Sequence, residues 1–519
     1  MNGESQQSVI DFLSRPEAYG AAGNVERLET HGAHVFLAGD RAYKLKKAVH
    51  YPYMDFSTIE KRRHFCEQEL RLNRRTAPEL YQEVLAVRRR PGGTLALAKD
   101  GGDGEEGEAL DWLVVMRRFD QAALFDAMAE RGDLTDQLMD GLADAVAAFH
   151  EAAEAVSGQG GAGAFKGYVE GNAAELERAI GTVFEAGVVE RVNQGCRAAL
   201  NQVAGLLDAR RAAGHVRRCH GDLHLRNICL IDGRPTLFDC IEFNDDFSLI
   251  DTLYDLSFLL MDLCYRGLRD HANRVLNRYL ARIGYDGLAA LPLMLACRAV
   301  IRAHVMARLT DNLDGEKRER AVDEACAYLD LALSYLDPAP ARLVAVGGLS
   351  GTGKSTLARA LAASLGAAPG AVILRSDVIR KRLFGVAETD PLPQDAYKPE
   401  MSRRVFAEIE RLAAGVLAQG HAVIADAVYG DDWQRTGIAA VAGKLNLSFD
   451  GLWLEAPQRI LEQRVDARRG DASDATSAVV RAQAARIRPP AGWRRVDTGG
   501  GREVALGTAR AALGLPEIH

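Results

Sequence analysis

The 519-residue sequence lacks most of the features that would place a chain by composition alone. Its eight cysteines (Cys66, Cys196, Cys219, Cys229, Cys240, Cys264, Cys297 and Cys326) are scattered and form no C-x-x-C pair, which speaks against a disulfide framework, a structural zinc site or a redox motif. The opening Met1-Asn2-Gly3-Glu4-Ser5 has no basic stretch followed by an apolar core, and no uncharged run is long enough to span a bilayer. The expectation is a cytoplasmic protein with no membrane partner. A basic excess is missing too: 64 Lys and Arg stand against 71 Asp and Glu, and the net charge of −7 argues against a general nucleic-acid binder. Short runs such as Lys61-Arg62-Arg63 and Arg88-Arg89-Arg90 read as solvated surface. At this length one core does not suffice, so two or three domains are expected, with homo-oligomerisation left open.

What is present begins with Gly348-Leu349-Ser350-Gly351-Thr352-Gly353-Lys354-Ser355, after the apolar run Leu343-Val344-Ala345-Val346 and before a helical pattern over Thr356–Leu365. Strand, glycine-rich turn and helix N-terminus in that order make a phosphate cradle, a Walker A pattern. Glycines let several N–H groups point into one concavity, and the helix N-terminus adds partial positive charge where phosphates would lie. Gly348, Ser350, Gly351, Thr352, Gly353 and Thr356 are the expected nucleotide-binding residues beside Lys354, which adds a full charge, and Ser355, whose hydroxyl suits Mg²⁺. No guanine-reading N-K-x-D follows, so ATP is the expected donor.

A second chemical stretch is Cys219-His220-Gly221-Asp222-Leu223-His224-Leu225-Arg226-Asn227, followed by a hairpin over 228–238 around Asp232-Gly233 and then by Asp239. A base near an acceptor hydroxyl and oxygen ligands for a hard cation must converge in phosphoryl transfer, and this spacing allows it. Further upstream, His34–Leu37 and Ala42–Lys46 read as strands reversing at Gly39-Asp40, with Lys44 and Lys46 on one face. A charged helix from Ser57 or Thr58 to about Arg75 carries Glu67 and Glu69. Strands at Val84–Arg88 and Trp112–Met116 flank a Gly/Asp/Glu-rich loop at 100–108. From about residue 120 helical segments dominate: Leu134–His150, Asn172–Ala186, Leu249–Leu263, His271–Ile283, Leu291–Leu309 and Glu316–Leu336, with a break at Gly158–Gly163. Asp251 and Asp255 would then lie one helical turn apart, and His304 reads as a core or surface histidine.

His220, Asp222, Asn227 and Asp239 match the pattern H-x-D-x-x-x-x-N, hairpin, Asp, so residues of about 25–335 resemble the kinase-like fold in its small-molecule branch of aminoglycoside, choline and homoserine kinases. The resemblance implies that Asp222 orients and deprotonates the acceptor hydroxyl, that Asn227 and Asp239 hold Mg²⁺, and that His220, Asp251 and Asp255 brace the loop. It suggests Lys44 as the lysine on the nucleotide phosphates, paired with Glu69; Lys46 and Glu67 stay open as alternatives. One departure is that no G-x-G-x-x-G loop precedes Lys44, only Thr30-His31-Gly32-Ala33-His34.

Asp337-Pro338-Ala339-Pro340-Ala341 reads as a short, stiff hinge. Beyond it, strands over Ala371–Leu374, Ala422–Ala425 and Gly451–Leu454 join Leu343–Val346 in an alternating β/α order that predicts a parallel sheet with ligands at the carboxyl ends of its strands. Residues 342–512 resemble the small P-loop kinases of metabolites, the gluconate, shikimate and zeta-toxin-like group. By that resemblance Asp377 activates the acceptor hydroxyl, Arg380 clamps the substrate, and Asp426 supports Mg²⁺. The segment 464–475 matches an arginine-bearing lid in which Arg464 and Arg468 neutralise the transferred phosphoryl, and Val496-Asp497-Thr498 borders the adenine.

The expected architecture is therefore multidomain: a two-lobed α+β kinase-like domain over 1–336 (small lobe about 25–118, helical lobe about 119–336), a linker at 337–341, and an α/β P-loop domain over 342–519. Over its full length the chain resembles the bacterial bifunctional aminoglycoside phosphotransferase/ATP-binding proteins. That resemblance implies transfer of the γ-phosphate of ATP, with Mg²⁺, to hydroxyls of sugar- or aminoglycoside-like small molecules at two sites. The alternative is one active P-loop kinase with a ligand-sensing N-terminal half, which the missing glycine loop favours. A third reading has a protein or nucleic-acid hydroxyl as acceptor.

Overall fold

The computed structural model describes residues 4–20, 23–51, 53–99, 107–468 and 470–516. The N-terminal Met1-Asn2-Gly3, most of the loop expected at 100–108 and Arg469 of the expected lid lie outside the described residues. The chain divides into two compact units, Met1–Ala164 with Asp208–Asp262, and Phe165–Leu207 with Leu263–His519.

In the first unit, six strands form one sheet in the spatial order Glu26–Glu29, Ala33–Ala38, Arg41–Lys46, Glu108–Arg117, Tyr81–Arg89, Leu95–Ala98. Every pairing is antiparallel. Gly39, at φ 60°, supplies the left-handed residue that reverses the chain between the second and third strands. Strand alternation then sorts the side chains: Tyr43 and Leu45 pack with Val9, Leu13, Phe36 and Val115 on one face. Lys44 and Lys46 are left for the other face, where the helix Ile59–Asn73 lies, capped by Thr58 accepting from the Lys61 N–H. Cys66 of that helix packs with Leu80, Tyr81, Trp112 and Val114.

The helix Asp136–Ala152 starts at a Thr135 cap and buries the stripe Met139, Leu142, Ala143, Val146 and Phe149. The hairpin Ile228–Ile231/Arg234–Leu237 turns through Asp232 (φ 49°) and Gly233 (φ 76°), the two consecutive left-handed residues of a tight hairpin. Three expectations need correction. Leu249–Asp251 is not the start of a helix but a short strand paired with Val216–Arg218, so the helix begins at Thr252 and Asp251 and Asp255 do not share a helical face. The glycine break ends at Gly160, because Gly161 already opens the helix Gly161–Arg178. That helix stops at Arg178, short of the Ala186 expected, and a new one runs over Ala186–Ala212.

The second unit holds the helices Arg269–Ile283, Leu291–Leu309 and Gly315–Leu336 and a five-stranded sheet. Its spatial order is Val372–Arg375, Val423–Asp426, Leu343–Gly348, Phe449–Glu455, Arg494–Asp497, with every pairing parallel. Leu343–Gly348 is buried throughout, as a central parallel strand covered on both faces should be. The P-loop helix runs over Lys354–Ala362, and the helix Ser376–Leu383 begins directly after its strand, so Asp377 sits in a first helical turn and not at a strand end. Among the described residues one helix, Leu288–Asn312, is long and apolar enough to cross a membrane, although Arg298, Arg302 and Arg308 interrupt it, so it is no uncharged run. Two-thirds of its most apolar 18-residue stretch is buried, as in the core helix of a globular unit.

Candidate active sites

In the first unit Lys44 and Glu69 meet, and three further residues join them. The Lys44 ammonium lies 2.8 Å from one Glu69 oxygen and 2.5 Å from Asp239. Lys46 takes the other Glu69 oxygen at 2.6 Å and also pairs with Glu242. Glu69 is completely buried, and Lys46 is 2% exposed. Of the open alternatives, Glu67 is exposed and pairs with Arg63 one turn away, while Lys46 shares Glu69 with Lys44. Burial alone would lower the Lys44 pKa, but Asp239 and Glu69 outweigh it and hold it well above the usual lysine range. Glu69 is likewise resisted by burial, yet its two lysines bring it down to about 2.

The loop after Val216–Arg218 places Asp222 and Asn227 side by side, the Asn227 amide donating to both the carboxylate and the backbone carbonyl of Asp222 at 2.9 Å. His224 approaches the same carboxylate at 3.3 Å. His220 is buried, bonded to the Phe238 carbonyl at 2.9 Å, and burial lowers its pKa. The Asp255 carboxylate accepts the backbone N–H groups of His220 (3.0 Å) and Gly221 (2.8 Å) and meets His150 at 3.0 Å. Asp251 instead forms a two-pronged pair with Arg210, at 2.7 Å to each oxygen. Asp239 has φ 60°, and its N–H donates to the Tyr81 hydroxyl. This left-handed kink sets the Asp239 carboxylate against Lys44. In place of a glycine loop, Thr30 to Gly32 form a tight turn, with His31 stacked on Tyr51 and bonded to the Tyr53 hydroxyl at 2.8 Å.

In the second unit a cavity of about 880 Å³ opens at the carboxyl ends of the central strands. Ser350 to Thr356, Asp377, Arg380, Asp426, Arg464, Arg468 and Thr498 all line it; Gly348 sits just before, at the end of its strand. Side chains are excluded at two glycines of the cradle. A Cβ on Gly348 (φ 138°) would stand 2.5 Å from the Leu454 carbonyl oxygen, and one on Gly351 (φ 85°) 2.6 Å from that of Leu461. Lys354 lies back on the Leu349 carbonyl at 3.0 Å, and the Ser355 hydroxyl donates to Asp426. Asp426 is buried, which raises its pKa despite Lys354 and Arg375; desolvation lowers that of Lys354 despite Asp426 and Asp377.

Arg380 is 8% exposed, donates to the Ala396 carbonyl at 2.6 Å and lies over the Tyr397 ring, while its buried Nε has no hydrogen-bond partner. Arg464 is occupied elsewhere, donating to the Thr498 carbonyl at 2.7 Å. Several lining residues escaped the sequence reading. Arg375 pairs with Asp471 (2.5 Å) and approaches Asp426 (3.6 Å), Gln483 accepts the Ser350 N–H, and Asp474 ties Lys381 to Tyr397. Arg375, between a strand and Asp377, and Asp471 and Asp474, inside the segment matched to the lid, carried a local signal; Gln483 is a polar residue on an unremarkable helix.

The donor sets suit a nucleotide and a hard cation. Backbone amides and Lys354 fit phosphates, Ser355 with Asp426 and Asp222 with Asn227 and Asp239 offer oxygen ligands, and Gly348 and Gly351 leave no room for a side chain. Residues 62–291 match the model of the APH family, the phosphotransferase enzyme family, and residues 343–490 that of AAA_33, an AAA domain. An uncharacterized protein of Mycobacterium tuberculosis is 34% identical over 493 residues, covering 93% of this chain and 94% of the relative. The crystal structure of a choline/ethanolamine kinase family protein from Mesorhizobium loti is similar at TM-score 0.38 and 16% identity, over 64% of this chain and 98% of that one. A gluconokinase from Sinorhizobium meliloti is similar at TM-score 0.25 and 24% identity, over 34% of this chain and 92% of that one.

Proposed function

The chain belongs to the phosphotransferase family shared with that mycobacterial relative, an APH domain followed by an AAA_33 domain, and on that premise we propose that both halves transfer the γ-phosphate of ATP to hydroxyls of small molecules. We place the functional division at 337–341, between a kinase-like half and a P-loop half. The observation that carries the reading is the convergence of Lys44, Glu69 and Asp239, with Lys44 and Asp239 drawn from 195 positions apart into one ion-paired cluster. A cation and oxygen ligands held together in this way are what phosphoryl transfer asks of a protein.

In the first half Asp222 accepts the proton of the acceptor hydroxyl, held in place by Asn227. Asn227 and Asp239 would hold Mg²⁺, and Lys44, oriented by Glu69, the nucleotide phosphates. In the second half the amides of Ser350 to Thr356 bind phosphate, Lys354 neutralises it, and Ser355 with Asp426 would hold Mg²⁺. Asp377 takes the acceptor proton, Arg380 grips the acceptor, and Arg468, with Arg464 once it leaves the Thr498 carbonyl, offsets charge on the transferred group. Such groups act by positioning and charge in a site shielded from water, and ATP supplies the phosphoryl itself.

The acceptors are read as sugar- or aminoglycoside-like. The tight turn at residues 30–32 in place of a glycine loop favours a second reading, a ligand-sensing first half. Transfer from γ-labelled ATP and Mg²⁺ into a small-molecule extract separates the two. Two labelled products, one lost with Asp222→Asn and the other with Lys354→Ala, support two kinases. Labelling that ignores Asp222→Asn and vanishes with Lys354→Ala leaves the sensor.

A further inference from the structure

The second unit contains an arrangement that neither family match predicts. The strand Val372–Arg375 is an edge of the parallel sheet, bonded on one side only, to Val423–Asp426. Its Val372 N–H points inward, donating to the Ala422 carbonyl at 2.9 Å. Alternation therefore turns the Ala371 carbonyl and the Ile373 N–H to the open side. There the side-chain amide of Asn277 meets both: its oxygen accepts the Ile373 N–H at 2.7 Å, and its nitrogen donates to the Ala371 carbonyl at 3.1 Å. One carboxamide thus takes the place that a residue of a neighbouring parallel strand would fill. Asn273, one helical turn earlier and 3% exposed, gives a second donor to the same carbonyl at 3.0 Å. The Asn277 nitrogen also donates to the Asn273 side chain at 3.0 Å, locking the pair.

The contact extends along the base of the sheet. Arg269 donates to the Pro369 carbonyl at 3.2 Å. The Gln419 side chain accepts the Leu288 N–H at 2.9 Å and donates to the Tyr285 carbonyl at 3.0 Å, and the buried His421 bonds the Leu288 carbonyl at 2.9 Å. All the residues of the 269–288 segment lie within the span matched by the APH family, whereas the strand belongs to the AAA_33 span.

We infer that Asn277, backed by Asn273, is a positioning residue for the P-loop site, holding the edge strand whose last residue is Arg375 and whose continuation carries Asp377 and Arg380. An edge strand free to slide or fray would carry all three with it, and small displacements of reacting groups are costly in rate. The P-loop half then depends for its activity on a helix outside its own family span. This inference rests on the proposed kinase activity of that half.

The test uses the full chain. Asn277→Ala is compared with the parent for Lys354-dependent phosphoryl transfer and for amide hydrogen exchange. The expected result is a drop in kcat of about tenfold or more with the KM for ATP unchanged, together with faster exchange confined to residues 371–380. Peptides covering 343–360 should exchange as in the parent. Asn273→Ala should show the same pattern more weakly. If Asn277→Ala does not fold, Asn277→Asp, which keeps an acceptor for the Ile373 N–H, replaces it. Unchanged exchange overturns the inference, as does localised exchange without loss of kcat. A loss spread over KM, kcat and exchange throughout the unit also overturns it, because that is general destabilisation. If Lys354→Ala leaves all transfer intact, the kinase reading of this half fails instead, and the exchange pattern alone still tells whether Asn277 holds the strand.

Discussion

The two sites handle the same problem, charge in a partly desolvated place, in opposite ways. Around Lys44 every charge has a partner made of side chains: two lysines share Glu69, Lys44 reaches Asp239, and Lys46 reaches Glu242. Partners outweigh burial at Lys44, Lys46 and Glu69, which are held charged, although burial still raises the pKa of Glu242 at the edge of the cluster. Around Lys354 burial wins. The lysine is lowered and Asp426 is raised, and the cradle consists of backbone that no mutation can neutralise. The difference teaches that the first site is organised by its own ion pairs, whereas the second leaves its charges less compensated, a state suited to binding an anion and a cation together.

The comparison can be broken at several points. The largest effect expected is for Asp222→Asn, which should lower formation of its product by about 10² to 10⁴-fold, the usual contribution of a positioned base, while the Lys354-dependent product is untouched. Separate chromatography of labelled products checks this. Lys354→Ala should cost the second product about 10² to 10³-fold, the scale of one lost charge-stabilising donor. It should leave the thermal midpoint without ligand nearly unchanged, since it removes a poorly compensated charge. Glu69→Ala should do the reverse in the first unit, destabilising it by about 3–5 kcal/mol because two lysines lose their shared carboxylate. Chemical denaturation of the two variants side by side reads the contrast, and equal stability losses would refute it.

A smaller effect concerns pH. Burial lowers the His421 pKa from 6.5 to about 4, partly offset by its bond to the Leu288 carbonyl. Between those values the unfolded chain binds a proton that the folded chain refuses. His421 therefore leaves stability intact above pH 6.5 and removes up to about 1.4 kcal/mol per pH unit as pH falls toward 4. Denaturation at several pH values should show a shallower acid slope in His421→Gln than in the parent.

Much of this could be read along the chain, but unevenly. The P-loop is local chemistry, so strand, cradle and helix were evident from adjacent residues, and Lys354 and Ser355 lie where that pattern puts them. Strand alternation put Lys44 and Lys46 on one face, but only the resemblance to the kinase-like fold suggested pairing Lys44 with Glu69. Glu242 and Lys46 could not be paired in advance, since nothing near Glu242 signals a lysine 196 positions away. Leu249–Asp251 misled because three apolar-flanked residues before a helix continue its hydrophobic pattern; their pairing with Val216–Arg218 is a tertiary event. Asn277 read as an ordinary polar residue on a helix.

Residue types at short, fixed spacings were enough to mark the phosphate cradle and the His220, Asp222, Asn227 and Asp239 pattern, and through their resemblance to known families the two kinase-type domains. Tertiary packing alone settled that Lys44 and Lys46 share Glu69 while reaching Asp239 and Glu242, that Asp255 clamps the loop through the His220 and Gly221 amides, and that Asn277 completes the open edge of the P-loop sheet. Those choices turn on distances between segments far apart in the chain, which no local spacing encodes.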